Sequence, residues 1–143
     1  MFEPFVCVSE TDAFAFLDPV FSSGVMLALK SILATVEQVP TLVFDEVDAG
    51  IGGGVAEVVG RKLKALTNAS QVFCITHLPQ VASRGDIHFL IEKQVVMGRT
   101  VTTVRPLTQR ERVDEIARMS GGLVITDTTR KLAAELLRQG ARD

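Results

Sequence analysis

The sequence predicts an α/β fold with a parallel strand–helix–strand core, followed by an antiparallel hairpin and two carboxy-terminal helices. Two continuous apolar runs, at residues 42–44 and 71–76, are typical of strands buried on both faces of a parallel sheet. A helical pattern lies between them at about residues 54–67, so the two strands are expected to be parallel. The runs at residues 87–94 and 99–105, the second of which alternates well, indicate the hairpin.

The length, composition and net charge of the chain limit the classes of protein to which it can belong. With 143 residues, 47% of them hydrophobic and 22% charged, the chain is long enough for one domain with a substantial core, and we expect residues 1–143 to form it. No apolar run approaches the roughly 20 residues that span a bilayer, and the amino terminus shows no secretory signal pattern. The net charge of −2 argues against nucleic-acid binding by bulk electrostatics. We therefore expect a cytoplasmic protein without a membrane partner.

The amino-terminal third is the least informative part of the chain. Residues 1–21 predict no element, because their apolar residues follow no clear period and Pro4 and Pro19 interrupt them. A buried helix is predicted from Val25 to about Glu37. The helix at residues 54–67 has a predicted inward stripe made of Val55, Val58, Val59, Leu63 and Leu66.

The carboxy-terminal third carries clear start and stop signals. Met97-Gly98 lies at the predicted hairpin turn, in a loop slightly longer than the tightest type. Thr108 and Glu111 form a capping-box pattern that opens a helix, and Gly121-Gly122 ends it. The last helix is predicted from Thr126, as its N-cap, to about Arg138. Its inward residues are expected to be Leu132, Ala133, Leu136 and Leu137.

The two cysteines point to no special chemistry. Cys74 lies inside an apolar run, where a free cysteine usually behaves as a small buried hydrophobe. Cys7 lies in the segment without a predicted element. No further Cys or His follows at ligand spacing, so neither a disulfide framework nor a zinc site is indicated.

Three carboxylates follow the first core strand directly. Asp45, Glu46 and Asp48 precede a glycine-rich turn, and grouped carboxylates repel one another unless a cation lies among them. A hydrated Mg²⁺ ion is the expected cation. In phosphoryl transfer, such an Asp positions Mg²⁺ while the neighbouring Glu accepts a proton from the attacking water. The ordinary alternative is a strand end that simply meets solvent. We expect Asp48 to project towards a partner.

His77 ends the second core strand. Ligands gather at the carboxyl ends of parallel strands, so His77 is expected to share one sheet edge with Asp45 and Glu46. There it is a candidate contact for a γ-phosphate, although a histidine at a strand end is more often a structural hydrogen bonder. His88 receives no role. No phosphate-loop pattern occurs in the chain.

These motifs resemble those of ABC-type ATPases. Leu42-Val-Phe-Asp-Glu46 resembles a Walker B strand with its glutamate, Val47-Asp-Ala-Gly50 resembles a D-loop, and Cys74-Ile-Thr-His77 resembles an H-loop. Longer strings from about residue 22 onwards are similar to the RecN family of SMC-like DNA double-strand-break repair ATPases. They are Phe44–Gly52, Thr76–Ala82, Gly98–Val101 and Arg118–Gly122.

The resemblance implies an ABC-ATPase-head-like carboxy-terminal lobe that acts with ATP and Mg²⁺. It implies a Walker A lobe from the amino-terminal end of the family's polypeptide, a second head as homodimer partner, and contact with DNA only through the full-length protein in repair and recombination. By resemblance, Asp45 would hold Mg²⁺, Glu46 would activate water and His77 would touch the γ-phosphate. Asp48 would lie at the head–head contact beside the nucleotide. The isolated chain is expected to be inactive.

One departure from the family pattern keeps two other hypotheses open. Where the ABC signature is expected to bind the nucleotide of a facing head, the chain has only Ser22, Ser23 and Gly24. This favours the alternative of a non-catalytic, truncated remnant that acts as a dimerisation or interaction module. A third hypothesis is a self-contained magnesium phosphotransferase or nuclease that uses the three carboxylates.

Overall fold

Among the residues that it describes, the computed structural model contains one mixed sheet of five strands, in the spatial order β2-β3-β1-β4-β5. The structure describes residues 4–10, 39–45, 48, 50–122 and 124–142. The first four strands are parallel, and only β5 runs antiparallel to its neighbour β4. The strands are β1 (Phe5–Glu10), β2 (Thr41–Asp45), β3 (Gln71–Ile75), β4 (Ile87–Val96) and β5 (Arg99–Pro106).

Four described helices connect and follow these strands. The strand–helix–strand prediction is confirmed, since β2 and β3 are parallel neighbours joined by the first helix. A short helix that the sequence analysis did not predict lies between β3 and β4, with a proline in its first turn. The helices are α1 (Gly53–Leu66), α2 (Pro79–Ala82), α3 (Gln109–Gly121) and α4 (Asp127–Gly140). None of them is long and apolar enough to cross a membrane.

The two clusters of buried residues that the structure describes contact the same face of the sheet. Alternate residues of the strands turn the same way, so Leu42, Phe44, Val72, Cys74 and Phe5 form one cluster with Leu63 of α1 and Val81 of α2. A second cluster joins the sheet to α3 and α4 next to it. Its buried members are Cys7, Ala82, Ile116, Ala117 and Ala133.

The central strand of the sheet comes from the segment that predicted no element. β1 lies between β3 and β4, and its residues Phe5, Val6, Cys7 and Ser9 are buried. Phe5, Val6 and Cys7 are buried in succession, so the strand shows no alternation, and periodicity could not separate it from an irregular segment. The predicted helix at residues 25–37 lies outside the described residues.

Two predictions about buried faces are wrong. β2 is not buried on both faces: Leu42 and Phe44 are buried, but Val43, on the opposite face, is 54% exposed. In α1 the inward stripe is shifted, so that Val55 and Val58 are exposed. Leu63 is buried as predicted, and Val59 and Leu66 pack against the core, but Ala56 and Gly60 take the places of Val55 and Val58 on the inward face.

The carboxy-terminal elements follow the prediction closely, with two differences. The capping box of Thr108 and Glu111 opens α3, and Thr126 caps α4, both as predicted. Leu132 is exposed rather than inward. The hairpin loop is the tightest type, because only Met97 and Gly98 separate the paired ends of β4 and β5, with φ angles of 52° and 75°. Two consecutive left-handed residues are typical of a type I′ turn.

Candidate functional site

The carboxyl ends of β2 and β3 form one edge of the sheet. Asp45, the last residue of β2, pairs in register with Ile75, the last residue of β3. The Asp45 residue is exposed at this edge. His77 lies two residues beyond the end of β3, and 57% of its side chain is exposed. The strand ends that carry these two candidates are therefore neighbours, as the topology argument predicted.

Asp48 lies in the turn that connects β2 to α1. Its backbone carbonyl accepts a hydrogen bond from the Ile51 N–H at 3.2 Å, and Gly50 has a φ of 74°, a left-handed conformation that favours glycine. The Asp48 side chain is fully buried. The expectation that Asp48 projects towards a partner is therefore wrong for its side chain, because the turn directs the carboxylate into the protein.

The buried carboxylate of Asp48 binds the loop that follows β3. Its Oδ2 atom accepts hydrogen bonds from the Thr76 hydroxyl, from the His77 N–H at 3.1 Å and from the Leu78 N–H at 3.3 Å. The Nδ1 atom of His77 lies 3.5 Å from the same oxygen. One side chain thus holds the turn after β2 against the loop after β3 and fixes the position of His77.

The other carboxylate oxygen of Asp48, Oδ1, differs from Oδ2 in its hydrogen bonding. Oδ1 is buried and has no hydrogen-bond partner among the described residues. Buried carboxylate oxygens normally accept at least one hydrogen bond, so an unpartnered one marks a position where a donor or cation is favoured. Sequence reasoning missed Thr76, because nothing in the local pattern shows that its hydroxyl meets a carboxylate 28 residues away.

The two cysteines near this edge are chemically inert. Burial raises the pKa of the Cys74 thiol, and the nearby Cys7, Asp48 and Asp45 raise it further. Burial likewise raises the pKa of Cys7 to about 12. Since the thiolate is the nucleophile and the metal ligand, both side chains act as neutral core residues. The prediction that Cys74 behaves as a buried hydrophobe is confirmed.

The residues at the edge fit a Mg²⁺ ion that is shared with a phosphate ligand, but not a self-contained metal centre. Over the described ranges, no three His, Cys, Asp or Glu residues are grouped so that they could hold a metal ion. Mg²⁺ commonly takes one or two carboxylates and completes its coordination with phosphate oxygens and water. Asp45 is exposed and offers one such carboxylate. The buried, hydrogen-bonded position of Asp48 disfavours the hypothesis of a phosphotransferase or nuclease with three carboxylates.

Four candidate residues lie outside the described residues. They are Glu46 of the acidic run and Ser22, Ser23 and Gly24 at the position of the expected signature. Their roles stay predictions.

Relatives of known name align with most of this chain. The chain is 49% identical to the DNA repair protein RecN of Bacillus subtilis over 117 residues, which are 82% of this chain and 20% of that protein. It is 45% identical to the DNA repair protein RecN of Treponema pallidum over 120 residues, 84% of this chain and 21% of that protein. The chain thus spans about a fifth of the length of the curated relatives it matches. No protein-family model matches the chain.

Solved structures agree with the sequence comparison at the level of the fold. An SMC head domain from Thermotoga maritima has a TM-score of 0.50 and 30% identity, covering 65% of this chain and 34% of that one. An Smc head bound to the C-winged helix domain of ScpA has a TM-score of 0.50 and 22% identity, covering 64% and 27%. The fold is that of the carboxy-terminal lobe of an SMC-type ATPase head. The chain therefore belongs to the RecN family, as a segment that corresponds to the carboxy-terminal region of its members.

Proposed function

We propose that the chain is the carboxy-terminal lobe of a RecN-type ATPase and works in DNA double-strand-break repair and recombination as part of a larger assembly. It supplies the residues that surround the γ-phosphate of Mg·ATP, whereas the Walker A lobe supplies the phosphate-binding loop. Because the relatives are about five times as long as the matched segment, we do not expect hydrolysis by this chain alone.

The observation that carries this proposal is the link between Asp48 and the Thr76–Leu78 loop. Three hydrogen bonds to one buried oxygen couple the turn after β2 to the loop after β3. Asp45 and His77 are thereby presented at the same sheet edge from two rigid strand ends. Catalytic groups on rigid elements keep their positions, and correct positioning supplies much of the rate in phosphoryl transfer.

Each residue has a distinct proposed role. The Asp45 carboxylate, which is exposed at the edge, would hold Mg²⁺. The Glu46 carboxylate accepts the proton of the attacking water. The imidazole of His77 contacts the γ-phosphate, and Asp48 keeps that imidazole in place. When bound, Mg·ATP supplies the electrophilic phosphorus and the metal charge that offsets charge developing on the phosphate oxygens.

The test of this proposal mixes the chain with the Walker A lobe of the Bacillus subtilis relative and measures ATP hydrolysis. We expect hydrolysis only in the mixture, and a loss of about 10²–10⁴-fold for Glu46→Gln, because a positioned general base contributes about that factor. The matched control is Glu92→Gln in the hairpin, where the carboxylate forms a partly exposed ion pair with Arg105 at 3.7 Å. Hydrolysis that survives Glu46→Gln would remove Glu46 from the mechanism.

A second candidate function is a non-catalytic interaction module. The short Ser22–Gly24 segment in place of a full signature favours it. A module of this kind would bind the Walker A lobe but show no Mg²⁺-dependent gain in ATP affinity. Titration of the mixture with ATP, with and without Mg²⁺, separates the two candidates.

A further inference from the structure

The two ring nitrogens of His77 have different surroundings. Nδ1 lies 3.5 Å from Oδ2 of Asp48, a fully buried carboxylate, and the His77 backbone N–H donates to the same oxygen. Nε2 has no hydrogen-bond partner among the described residues, and 57% of the side chain is exposed. One nitrogen thus faces an anion inside the protein, and the other is left for solvent or a ligand.

The Asp48 oxygen determines where the neutral ring carries its proton. Oδ2 already accepts from the Thr76 hydroxyl and from the N–H groups of His77 and Leu78, so no proton of its own fits there. An unprotonated Nδ1 would turn its lone pair towards this anion and be repelled, whereas an N–H at Nδ1 is attracted to it. The neutral imidazole of His77 therefore carries its proton on Nδ1, which leaves a lone pair on Nε2.

A lone pair on Nε2 is unsuited to the proposed contact with a phosphate. The oxygens of a phosphate are strong hydrogen-bond acceptors, so a neutral His77 in this form would present an acceptor to an acceptor. A favourable contact requires a second proton, on Nε2. The imidazolium then lies between two anions, Asp48 and the phosphate, and an opposite charge on either side favours its charged form.

The other charged residues at this edge act in the same direction. Asp45 ends β2 and Glu10 ends β1, the two strands that flank β3. The loop after β3 and the α2 helix carry no charged side chain other than that of His77. No Lys or Arg occurs in the described residues 4–10, 39–45, 48, 50–60 or 71–83. The described part of this edge therefore supplies no cation that would repel a protonated His77.

We propose that His77 takes up one proton on Nε2 when the γ-phosphate of Mg·ATP binds at this edge. This inference rests on the proposed function, since it concerns the protonation of the same site. The proton comes from water or buffer and returns there when the phosphate leaves, so no other group is transferred. His77 binds the phosphate as a cation that Asp48 holds in place, and nucleotide affinity therefore falls as the pH rises above neutrality.

The first measurement needs the chain alone. Long-range proton–nitrogen correlation spectra at about pH 8, above the range in which an ordinary histidine titrates, show which ring nitrogen carries the proton. His88 is the internal reference: the Ser9 hydroxyl donates to Glu115 at 2.6 Å, so His88 Nε2, at 3.1 Å, must donate to the Ser9 oxygen. We expect the two histidines of the chain in opposite tautomers, His77 protonated on Nδ1 and His88 on Nε2. A neutral His77 protonated on Nε2 would overturn the inference.

The second measurement is calorimetry of Mg·ATP binding in two buffers of different ionisation enthalpy. The chain is mixed with the Walker A lobe of the Bacillus subtilis relative and carries Glu46→Gln, so that the nucleotide stays intact. At about pH 8 we expect uptake of about one proton per nucleotide, and an affinity that falls about tenfold for each further pH unit. Adding His77→Gln should abolish the uptake, whereas adding His88→Gln, the matched control, should leave it unchanged. Equal uptake with and without His77 overturns the inference.

Asp48→Asn tests whether the carboxylate sets the position of the proton. The amide oxygen of Asn still accepts from the loop, but the side chain is neutral and no longer requires a proton on Nδ1 of His77. A neutral His77 protonated on Nε2 can then donate to the phosphate directly. We expect proton uptake to fall to less than about half of the value without this substitution. Unchanged uptake would contradict the role of Asp48 in the inference.

The two proposals fail separately. Hydrolysis that depends on Glu46, together with nucleotide binding that takes up no proton, would overturn this inference and leave the proposed function standing. Absence of Mg²⁺-dependent ATP binding by the mixture would contradict the proposed function, and the proton uptake with it, whichever nitrogen of His77 carries the proton in the free chain.

Discussion

Asp48 shows how one buried side chain organises the candidate site. Its Oδ2 atom accepts three hydrogen bonds from the Thr76–Leu78 segment, and no other described carboxylate occupies a comparable position at this edge. Removing an acceptor of this kind leaves buried donors unpaired, which costs more than the net gain of forming the bonds. The Asp48 carboxylate is therefore expected to contribute more to the free energy of unfolding than the net energy of its hydrogen bonds alone.

We expect Asp48→Ala to lower the free energy of unfolding by about 2–4 kcal/mol, because the Thr76 hydroxyl and the His77 N–H lose their acceptor, whereas the Leu78 N–H keeps the Thr76 hydroxyl at 3.0 Å. Asp45→Ala, at the exposed end of β2, is the matched control and should change the stability by no more than about 0.5 kcal/mol. Urea unfolding monitored by circular dichroism measures both differences. Equal midpoints for the two variants would show that the Asp48 contacts contribute nothing to stability.

His88 is the second residue whose role only the structure reveals. It is fully buried, and it faces Ser9 of β1 together with Arg112, Glu115 and Arg118 of α3. Burial is the main cause that lowers the pKa of its imidazole to about 4; the neighbouring Arg112 contributes to this shift, and Glu115 opposes it. The folded protein therefore keeps this imidazole neutral well below its ordinary pKa of 6.5.

The low pKa of His88 predicts that the folded state loses stability at acid pH. Between pH 6.5 and about 4 the unfolded chain binds a proton that the folded chain excludes, so stability falls as the pH falls through this window, by up to about 3 kcal/mol. In His88→Gln the loss between pH 7 and pH 4.5 should be clearly smaller. His77→Gln is the control and should keep the full loss. The midpoints of urea unfolding, measured across this pH range, report the dependence of stability on pH. Parallel pH profiles for wild type and His88→Gln would refute the prediction that His88 causes the loss.

At the scale of single elements, helix starts were easier to predict than helix faces. The Thr108 hydroxyl accepts from the Glu111 N–H at 3.3 Å, and the Glu111 side chain accepts from the Thr108 N–H at 2.8 Å. Both bonds lie within four residues of sequence, so local chemistry decides them. The inward face of α1 depends instead on what packs against it. Gly60 faces inwards because α2 and Arg84 approach it closely.

Two glycines of α1 provide a matched prediction. In Gly60→Ala the new Cβ would lie 2.7 Å from Arg84 Cδ and 3.2 Å from the Gln80 carbonyl oxygen, so we expect a loss of about 1–3 kcal/mol. In Gly54→Ala the Cβ meets nothing within 4 Å, and we expect a gain of about 0.5–1 kcal/mol from the better helix propensity. Thermal unfolding of the two variants should therefore shift in opposite directions. Shifts of the same sign would mean that α1 packs differently from this description.

At the scale of the whole molecule, protection should decrease from the sheet centre towards the hairpin. β1 and β3 are buried against the helices, whereas the residues of β4 and β5 beyond Glu92 are exposed. Local opening is cheapest where few apolar contacts must break. We expect native-state hydrogen exchange of the free chain to be slowest in β1 and β3 and fastest around Met97-Gly98. Equal protection at the hairpin tip and in β3 would contradict this gradient.

The sequence by itself determined the features that depend on near neighbours. These are the parallel β2–α1–β3 unit, the hairpin, both capped carboxy-terminal helices, and the placement of Asp45 and His77 at adjacent strand ends. Each follows from periodicity, a turn residue or a cap within one element, or from the rule that a strand–helix–strand crossover gives parallel strands.

Only the tertiary structure decided the centre of the sheet and the interior of the site. β1 pairs with strands more than 60 residues further along the chain, and no local pattern specifies such a partner. Asp48 turned out to be an internal hydrogen-bond acceptor for Thr76, because burial of its carboxylate depends on a loop that is distant in sequence. Strand pairing and side-chain burial are properties of the assembled fold, because each requires contact between two segments that are distant in sequence. The residues next to a given position in the sequence do not specify such a contact.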